Sequence, residues 1–379
     1  MNQSIRPQRT APRCLALAAL WLAACSDGAS TPDNDSTSAG AAGMGGSAGV
    51  ATSAGTAGAA TTAGNSAGGA GGSSTTGGTG GGGSLTTGGA GGAASGAGGQ
   101  AGAGGSAGAD PGPVKHHVMA IEYPGRLVEI SAEGQKLWEH QTPSLTVMFN
   151  VLANGHVFYP HGGDKRGAEE IDRDHQVVWS YDSPAGELLG GERLANGNNL
   201  LGEGGPPKAL ELDTAKTVVR SINVTTTETV AHGQIRHIHR LANGNVLLAL
   251  ESEGVAREID ASGSTVWEYK GIQRIHEAIR LPNGNTLIGG GDSKRVLEVT
   301  SGGQIAWEFN DKDAPELGLA FVASVQVLKN GDLIVANWLG AGGGTGVHAF
   351  QVTRDKKVVW KLDDHQMLKS ATTVTALDD

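Results

Sequence analysis

The residues best suited to chemistry lie between positions 236 and 277, where histidine, arginine and glutamate recur at short spacing. They are Arg236, His237, His239, Arg274, His276 and Glu277. Two histidines at i and i+2 share one side of a β-strand, because successive side chains of a strand point to opposite faces. Imidazole and carboxylate groups transfer protons or bind divalent metals, and guanidinium groups bind anions. The cluster predicts a polar site built on neighbouring strands.

Three interpretations of this cluster remain open on sequence grounds. It is a polar, water-filled channel whose titratable groups bond one another, a binding site for a small anionic or sugar-like ligand, or a catalytic or metal site. The ligand-binding interpretation adds Glu192, His161, Asn337 and Trp338. No cofactor is predicted. A divalent metal at His237 and His239 is an option, but two histidines at this spacing do not specify one.

The elements that position these residues are visible between His276 and Phe309. Asn283-Gly284 is a strong hairpin signal, because both residues tolerate positive φ, and Gly302-Gly303 marks a second tight turn. Alternating apolar residues on both sides of each turn predict strands. The four strands are A (His276–Leu281), B (Thr286–Gly290), C (Val296–Thr300) and D (Ile305–Phe309).

This four-strand unit recurs along the C-terminal two-thirds of the chain. The A–B turn appears at Asn154-Gly155, Asn196-Gly197, Asn243-Gly244, Asn283-Gly284 and Asn330-Gly331. Six C–D units end at Trp138, Trp179, Arg220, Trp267, Trp307 and Trp360. Four-stranded repeats of this length are the sequence signature of a β-propeller. The alternating C-terminal segment Thr372–Leu377 is predicted to pair with Val114–Ala120, which closes an all-β, six-bladed propeller over residues 113–379.

The predicted fold also indicates which face carries the functional site and which side chains line the channel. The A–B and C–D turns hardly vary in length, whereas the D–A and B–C connections do, and these lie together on one face. Variable loops on a fixed scaffold often carry function. Strand A lines the central channel, and its alternation directs Glu192, His237, His239 and Glu277 into it. His161, Asn337 and Trp338 fall at B–C connections, and Arg236, Arg274 and His276 are expected to cluster at the rim.

The N-terminal region predicts an exported, lipid-anchored protein. Residues 1–24 read as a lipoprotein signal peptide, with arginines followed by a short apolar run. Leu22-Ala23-Ala24-Cys25 resembles the lipobox of bacterial lipoproteins, in which the cysteine is lipidated. Residues 25–112 are almost entirely Gly, Ala, Ser and Thr, a composition that predicts a disordered linker. We therefore expect a membrane partner through Cys25 and a place in the cell envelope at the outer membrane, on its periplasmic or surface side.

The formal charge and the cysteine content restrict which binding partners and which internal bonds are expected. The formal charge is −10, and it becomes −13 without the three arginines of the leader. An acidic surface argues against nucleic acid as a partner. After processing, Cys25 would be the one remaining cysteine, so no internal disulfide is expected. We expect a monomer whose partner is an unknown protein or a small anionic or sugar-like ligand.

Two segments carry a family resemblance. Arg-Leu-Pro-Asn-Gly-Asn-Thr-Leu-Ile at 280–288 and Gly-Gln-Ile-Ala-Trp at 303–307 resemble the repeats of the PQQ-like and arylsulfotransferase-like β-propeller superfamily. The resemblance implies that the tryptophan of each strand D docks between blades. Arg220 breaks this pattern, so the third blade is expected to be less tightly locked to its neighbour.

The same resemblance implies an activity. In arylsulfotransferases a channel histidine is the nucleophile, and His276-Glu277 ahead of Leu281-Pro282-Asn283-Gly284 is similar to the family pattern. His276 would then be the nucleophile or acid–base group among the catalytic candidates His237, His239, His276 and Glu277. Arg236 and Arg274 would act as anion clamps. The leading prediction is a lipid-anchored binding or protein-interaction module that uses its variable-loop face, with sulfuryl transfer as the alternative.

Overall fold

A computed structural model describes residues 113–379, which form six four-stranded antiparallel sheets. Each sheet is one blade of a propeller, and its strands follow one another outward from the centre. The predicted signal peptide, the predicted lipidation site Cys25 and the predicted linker lie outside the described residues. Within the described part, no helix has the length and apolar character needed to cross a bilayer.

The strand bounds follow the predicted repeat. Blades 1 to 3 contain β1 (Val118–Glu122), β2 (Arg126–Ile130), β3 (Lys136–Gln141), β4 (Asn150–Val151), β5 (Val157–His161), β6 (Gly167–Ile171), β7 (Val177–Asp182), β8 (Glu187–Arg193), β9 (Asn199–Gly204), β10 (Lys208–Leu212) and β11 (Val218–Asn223). Blades 4 to 6 contain β12 (His237–Arg240), β13 (Val246–Leu250), β14 (Val255–Ile259), β15 (Thr265–Lys270), β16 (Glu277–Arg280), β17 (Thr286–Gly289), β18 (Arg295–Val299), β19 (Ile305–Asn310), β20 (Val322–Val327), β21 (Leu333–Asn337), β22 (Ala349–Val352) and β23 (Val358–Leu362). The last strand is β24 (Ala371–Ala376). Single 3-10 turns at Ala231–Gly233 and Pro315–Leu317 lie in two of the longer connections.

The ring closes between the two ends of the described chain, as predicted. β24 is the innermost strand of blade 1, whose order is β24-β1-β2-β3. It pairs antiparallel with β1, and Val118 lies opposite Ala376. β1 begins at Val118 rather than at the predicted Val114. The six-bladed fold and its closure by the C-terminal strand are confirmed.

The A–B turns show why Asn-Gly recurs. The turn glycines adopt positive φ, for example 83° at Gly155 and 86° at Gly284, a region that a residue with a Cβ rarely adopts. The asparagine side chain accepts a hydrogen bond from the backbone two residues ahead. In the turn before β17, Asn285 N donates to Asn283 Oδ1 at 3.0 Å. Each dipeptide therefore fixes the register of the hairpin that carries the innermost strand.

The apolar core lies between the blades. Six hydrophobic clusters occur among residues 113–379, and each combines side chains from two neighbouring blades. One of them joins blade 6 to blade 1 and includes Val374 of β24. Because every blade is buried against both neighbours, no blade is expected to be stable by itself, and the scaffold that holds the channel is rigid.

Tryptophans of the outer strands bind the next blade, as the resemblance implied. The indole nitrogen of Trp138 donates to the Arg173 carbonyl at 3.0 Å, and that of Trp307 donates to the Arg354 carbonyl at 2.7 Å. In blade 3, Arg220 replaces the tryptophan and donates to the Gly244 carbonyl at 3.0 Å. This interface therefore keeps a hydrogen bond to the next blade despite the substitution.

A second contact between blades was not predicted. The glutamate near the end of each of five C strands is buried and pairs with an arginine of the next blade; these pairs are Glu129–Arg173, Glu170–Arg193, Glu211–Arg240, Glu258–Arg280 and Glu298–Arg354. At the closing interface Gln351 occupies this position and bonds His116 at 2.7 Å. The closing interface is thus held without a carboxylate at this position.

Candidate functional site

A cavity of about 330 Å³ lies in the channel of the propeller. Its walls come from the innermost strands of blades 1, 2, 4, 5 and 6. The lining residues are Met148, Phe149, Asn150, His237, His239, Glu277, Ile279, Ser324, Val325, Gln326, Val327, Thr373, Val374 and Thr375. The positions predicted four and six residues before each turn asparagine supply most of them. Strand alternation in the sequence therefore identified the side chains that face the channel.

Two histidines and one carboxylate meet on one wall of this cavity. His237 Nδ1 lies 2.7 Å from Glu277 Oε1, and His239 Nε2 lies 3.2 Å from the same oxygen. His237 and His239 are alternate residues of β12, and Glu277 is the first residue of β16 in the next blade. The structure thus brings together three of the four predicted catalytic residues.

Glu192 approaches this wall from the preceding blade. Its Oε1 lies 3.8 Å from His239 Nδ1, and its Oε2 accepts a hydrogen bond from Arg240 N at 2.8 Å. The glycine at 190 makes this approach feasible, because a Cβ there would lie 2.9 Å from the Arg236 carbonyl oxygen. β8 therefore packs closely against β12, and His239 is left between two carboxylates.

These neighbours determine which groups are charged. Burial by itself would lower the pKa of His239, but contacts with Glu192 and Glu277 outweigh it and raise the pKa. Burial would raise the pKa of Glu277, yet the adjacent His237 and His239 hold the pKa of this carboxyl well below its usual range. The wall therefore combines an ionised carboxylate with an imidazolium at neutral pH.

Two groups on the wall lack a hydrogen-bond partner among the described residues. His237 is only 3% exposed, and neither of its ring nitrogens makes a hydrogen bond. Its Nδ1 is near Glu277 without the alignment that a hydrogen bond requires. Ser324, on the strand beyond Glu277, has an unpaired Oγ as well. Such groups usually have partners in folded proteins, so this part of the cavity has unsatisfied bonding capacity.

The predicted anion clamps form a separate cluster, beside the channel wall. Arg236 is buried, and its guanidinium pairs with the carboxylate of Glu251. Arg274 Nη2 lies 2.8 Å from the other oxygen of Glu251, and Arg274 also contacts Asp292 at 3.5 Å. Burial would raise the pKa of Glu251, but Arg236, His276 and Arg274 keep it low. Both arginines are therefore neutralised by carboxylates of their own surroundings.

His276 belongs to this second cluster rather than to the cavity lining. Its Nδ1 donates to the Ala323 carbonyl at 2.7 Å, and its ring packs edge-on against Phe321 with centroids 5.0 Å apart. Burial and the charge of Arg236 lower the pKa of His276 to about 3, so its imidazole is neutral. The sequence predicted that His276 clusters with Arg236 and Arg274 at the rim; all three lie around Glu251, but the structure buries His276 between blades 5 and 6.

The three remaining predicted residues lie apart from the histidines. His161 ends β5 in blade 2, and its Nδ1 bonds the Lys165 carbonyl at 2.9 Å. Asn337 is completely buried, and its amide bonds four backbone groups of the connections around it. It therefore acts as a structural residue. Trp338 is half-buried and contacts the rings of Tyr123 and Phe321 at centroid distances of 5.7 and 5.4 Å.

Sequence reasoning missed part of this loop face. Tyr123 and Phe321 extend the contacts of Trp338, and the Arg274 guanidinium lies 5.1 Å from the Phe321 ring centroid. His232 Nδ1 lies 2.9 Å from Glu187 Oε2 and links blade 3 to the connection before β12. All of these residues lie in, or next to, the D–A and B–C connections. Their position in variable connections was the one feature of the sequence that could have identified them. That feature does not reveal which of these side chains contact one another.

Comparisons with known proteins concern the fold. No protein-family model and no curated protein matches the chain. A protein of unknown function from Bacteroides caccae is similar in structure at 24% identity, with a TM-score of 0.63 over 70% of this chain and 100% of that chain. Virginiamycin B lyase from Staphylococcus aureus aligns at 12% identity and a TM-score of 0.47, over 66% of this chain and 84% of that chain. The resemblance to the PQQ-like and arylsulfotransferase-like superfamily therefore remains a prediction.

Proposed function

We propose that this protein is a lipid-anchored binding module of the cell envelope that takes a small polar ligand into its channel. The observation that carries the proposal is the cavity of about 330 Å³ with unpaired polar atoms of His237 and Ser324 on its wall. Buried polar groups cost free energy unless they are paired. A ligand that both donates and accepts hydrogen bonds therefore gains affinity at this wall.

The distribution of charge favours a sugar-like ligand over an anion. The two arginines predicted to clamp an anion are paired with Glu251 and do not line the cavity. The groups that do line it include imidazole, carboxylate and hydroxyl groups beside apolar Met148 and Ile279. Hydroxyl groups of a sugar both donate and accept, and the apolar faces of its ring pack against aliphatic side chains.

The variable-loop face supports entry of the ligand from that side. His237 and Glu277 are the first residues of β12 and β16, so they lie at the ends of the innermost strands that adjoin the D–A connections. On this face Tyr123, Trp338 and Phe321 form a continuous aromatic contact. Aromatic side chains and arginine are frequent anchors in binding interfaces, so the same face also suits a protein partner.

Lipid attachment is the second half of the proposal. It rests on the sequence Leu22-Ala23-Ala24-Cys25 and on the long Gly-rich segment that separates Cys25 from the propeller. Cells that express the full chain are labelled with an alkyne-bearing palmitate, and labelling is compared with Cys25→Ala. Incorporation that depends on Cys25, in the outer-membrane fraction, is expected. Equal labelling of both chains, or none, contradicts the anchor.

Ligand binding is tested with a panel of monosaccharides, uronic acids and aryl sulfates, by thermal shift and calorimetry on the full chain. We expect monosaccharides to bind, and Thr375→Trp to abolish binding because its side chain occupies the cavity from blade 1 and leaves the histidines of blade 4 in place. Val266→Trp is the matched control, since Val266 is 53% exposed on an outer strand. If no sugar binds, or if Thr375→Trp binds as well as the wild type, the proposal fails.

Sulfuryl transfer is the second candidate, and one observation favours it. The bond from His276 Nδ1 to the Ala323 carbonyl, together with the lowered pKa of the ring, leaves Nε2 unprotonated, as a nucleophilic nitrogen must be. Turnover of an aryl sulfate in the same panel, lost in His276→Ala but retained in His161→Ala, supports this candidate. Absence of turnover in a folded wild-type chain removes it.

A further inference from the structure

The two histidines and the carboxylate on the cavity wall share a geometry that suits a metal ion. The ligand atoms of His237, His239 and Glu277 all lie within 4.8 Å of one another. We propose that they bind a first-row divalent transition metal, such as Zn²⁺, whose open coordination positions face the cavity. The metal site itself does not depend on the proposed function. Its suggested role, which is to help bind the ligand, rests on that proposal.

The distances are close to those of a metal centre. Ligand atoms that are each about 2.0–2.2 Å from a tetrahedral ion lie about 3.3–3.6 Å apart. His239 Nε2 and Glu277 Oε1 are 3.2 Å apart, which nearly satisfies this. His237 Nδ1 is 2.7 Å from the same oxygen and needs to move outward by about 0.6 Å, within the reach of side-chain rotation.

The unpaired state of His237 is an independent observation that points to a ligand. Its ring is 3% exposed, and both nitrogens lack hydrogen bonds within residues 113–379. A histidine that served only the core would be expected to have a donor or acceptor partner. A metal bound at Nδ1 gives that nitrogen its partner and separates it from the carboxylate oxygen.

The surroundings match those of known metal ligands. A metal-bound histidine usually presents its second nitrogen to a carboxylate, which orients the ring. Glu192 Oε1 is 3.8 Å from His239 Nδ1, on the side of the ring away from Glu277, and the other oxygen of this carboxylate, Oε2, accepts a hydrogen bond from Arg240 N. Two imidazoles with one carboxylate suit Zn²⁺ and its neighbours, whereas Ca²⁺ and Mg²⁺ take oxygen ligands.

Among residues 113–379, three protein ligands meet at this wall, and the cavity lies beside them. Three protein ligands with a free position are the arrangement in which zinc also binds water or a substrate group. In this protein the free position would take a hydroxyl group of the ligand. The metal would thus anchor the sugar-like ligand proposed above.

The test measures metal binding directly. The full chain is stripped with EDTA, dialysed against Zn²⁺ and analysed for metal content, and Co²⁺ is used to record the visible spectrum of the site. We expect one ion per chain and a Co²⁺ spectrum typical of nitrogen and oxygen ligands. Glu277→Gln and the double variant His237→Ala/His239→Ala are expected to lose the bound ion, and Glu192→Gln to weaken binding by about 10-fold.

The control is His156→Ala, which removes an equivalent histidine–glutamate contact with Glu170 outside the channel and leaves binding unchanged. Failure of the wild type to retain one ion overturns the metal site, as does full retention in the double variant. Thr375→Trp separates the two proposals, because it blocks the ligand but keeps the three metal ligands. If Thr375→Trp retains the ion while no sugar binds the wild type, the metal site stands and the proposed ligand does not.

Discussion

Substitution of Glu298 tests how the blades are held together. Its carboxylate is buried and accepts hydrogen bonds from the amides of Asn283 and Asn285, at 3.2 and 2.6 Å, within blade 5. It also pairs with Arg354 of blade 6, whose guanidinium lies 5.1 Å from the Trp307 ring centroid. One carboxylate therefore joins the inner hairpin of one blade to the outer hairpin of the next.

The expected cost of Glu298→Ala follows from these contacts. Hydrogen bonds to a charged group contribute about 1.5–3 kcal/mol each, and removing one partner of a buried ion pair costs about 3–5 kcal/mol. Arg354 is 36% exposed, so water replaces part of its lost interaction. We therefore expect a loss of about 3 kcal/mol in the free energy of unfolding. Glu298→Gln keeps the shape of the side chain and one hydrogen-bond acceptor. We expect it to lower the free energy of unfolding by about half as much as Glu298→Ala does.

The dependence on pH gives the prediction a second readout. Burial would raise the pKa of Glu298, but Asn285, Asn283 and Arg354 outweigh it and lower the pKa below the ordinary value of 4.5. A lowered folded-state pKa stabilises the protein above pH 4.5, and that contribution is lost as the pH falls through the folded-state value. The difference in stability between the wild type and Glu298→Gln should therefore shrink below pH 4.5.

Urea unfolding of the full chain, monitored by tryptophan fluorescence, measures these differences. Glu308→Ala is the matched control in the same blade, because its pair with Arg295 is long, at 3.7 Å, and partly exposed. Pairs of this kind contribute about 0–1 kcal/mol. If Glu298→Ala unfolds within about 0.5 kcal/mol of the wild type at pH 7, the carboxylate does not hold the blades together.

Three further substitutions probe the scaffold of the channel. Gly190→Ala places a Cβ 2.9 Å from a carbonyl oxygen and is expected to cost about 1–3 kcal/mol by urea unfolding, whereas Gly342→Ala, with open space around it, should cost little. Asn337→Ala removes four buried hydrogen bonds and is expected to lower the free energy of unfolding by about 3 kcal/mol. It should also make the connection at 311–321 accessible to proteases, and an unchanged cleavage pattern would contradict the structural role of Asn337. Removal of residues 371–379 deletes β24 and is expected to abolish cooperative unfolding by circular dichroism, whereas removal of Asp379 alone retains it; a cooperative transition in the longer truncation would refute closure by β24.

Much of the fold was predictable because its signals are local. Asn-Gly turns and alternating residues specify each hairpin, and their recurrence specifies six blades. The same period of two placed His237 and Glu277 in the channel. It also turns Arg236 and His276, one residue earlier on each chain segment, away from the channel, and the prediction that they cluster at the rim did not include their burial. Arg236 is then buried against Glu251, and His276 against Phe321 and the Ala323 carbonyl.

The pairs between blades could not be predicted in full. The glutamates recur at one position of strand C and are visible in the sequence, from Glu129 to Glu298. Their arginine partners come from two different places in the next blade. Arg193 lies at the end of its innermost strand, whereas Arg354 lies in a C–D turn. Both places reach the equivalent buried carboxylate of the preceding blade, Glu170 for Arg193 and Glu298 for Arg354, and a linear pattern does not record such contacts between blades.

The channel site arises because the six innermost strands are equivalent in the fold but carry different side chains at the same level. At the level of His237 the six innermost strands present Met148, Gly190, His237, Glu277, Ser324 and Thr373. The two titratable residues of this level are adjacent, and Ser324 follows them on the next blade. Gly190 lets blade 3 approach blade 4, so that Glu192 reaches His239. The proposed ligand would therefore meet titratable groups on one side of the cavity, and Met148 with the uncharged Asn150, Thr373 and Thr375 on the other. Such an arrangement would fix the orientation of the proposed ligand, whereas a uniformly polar channel would not.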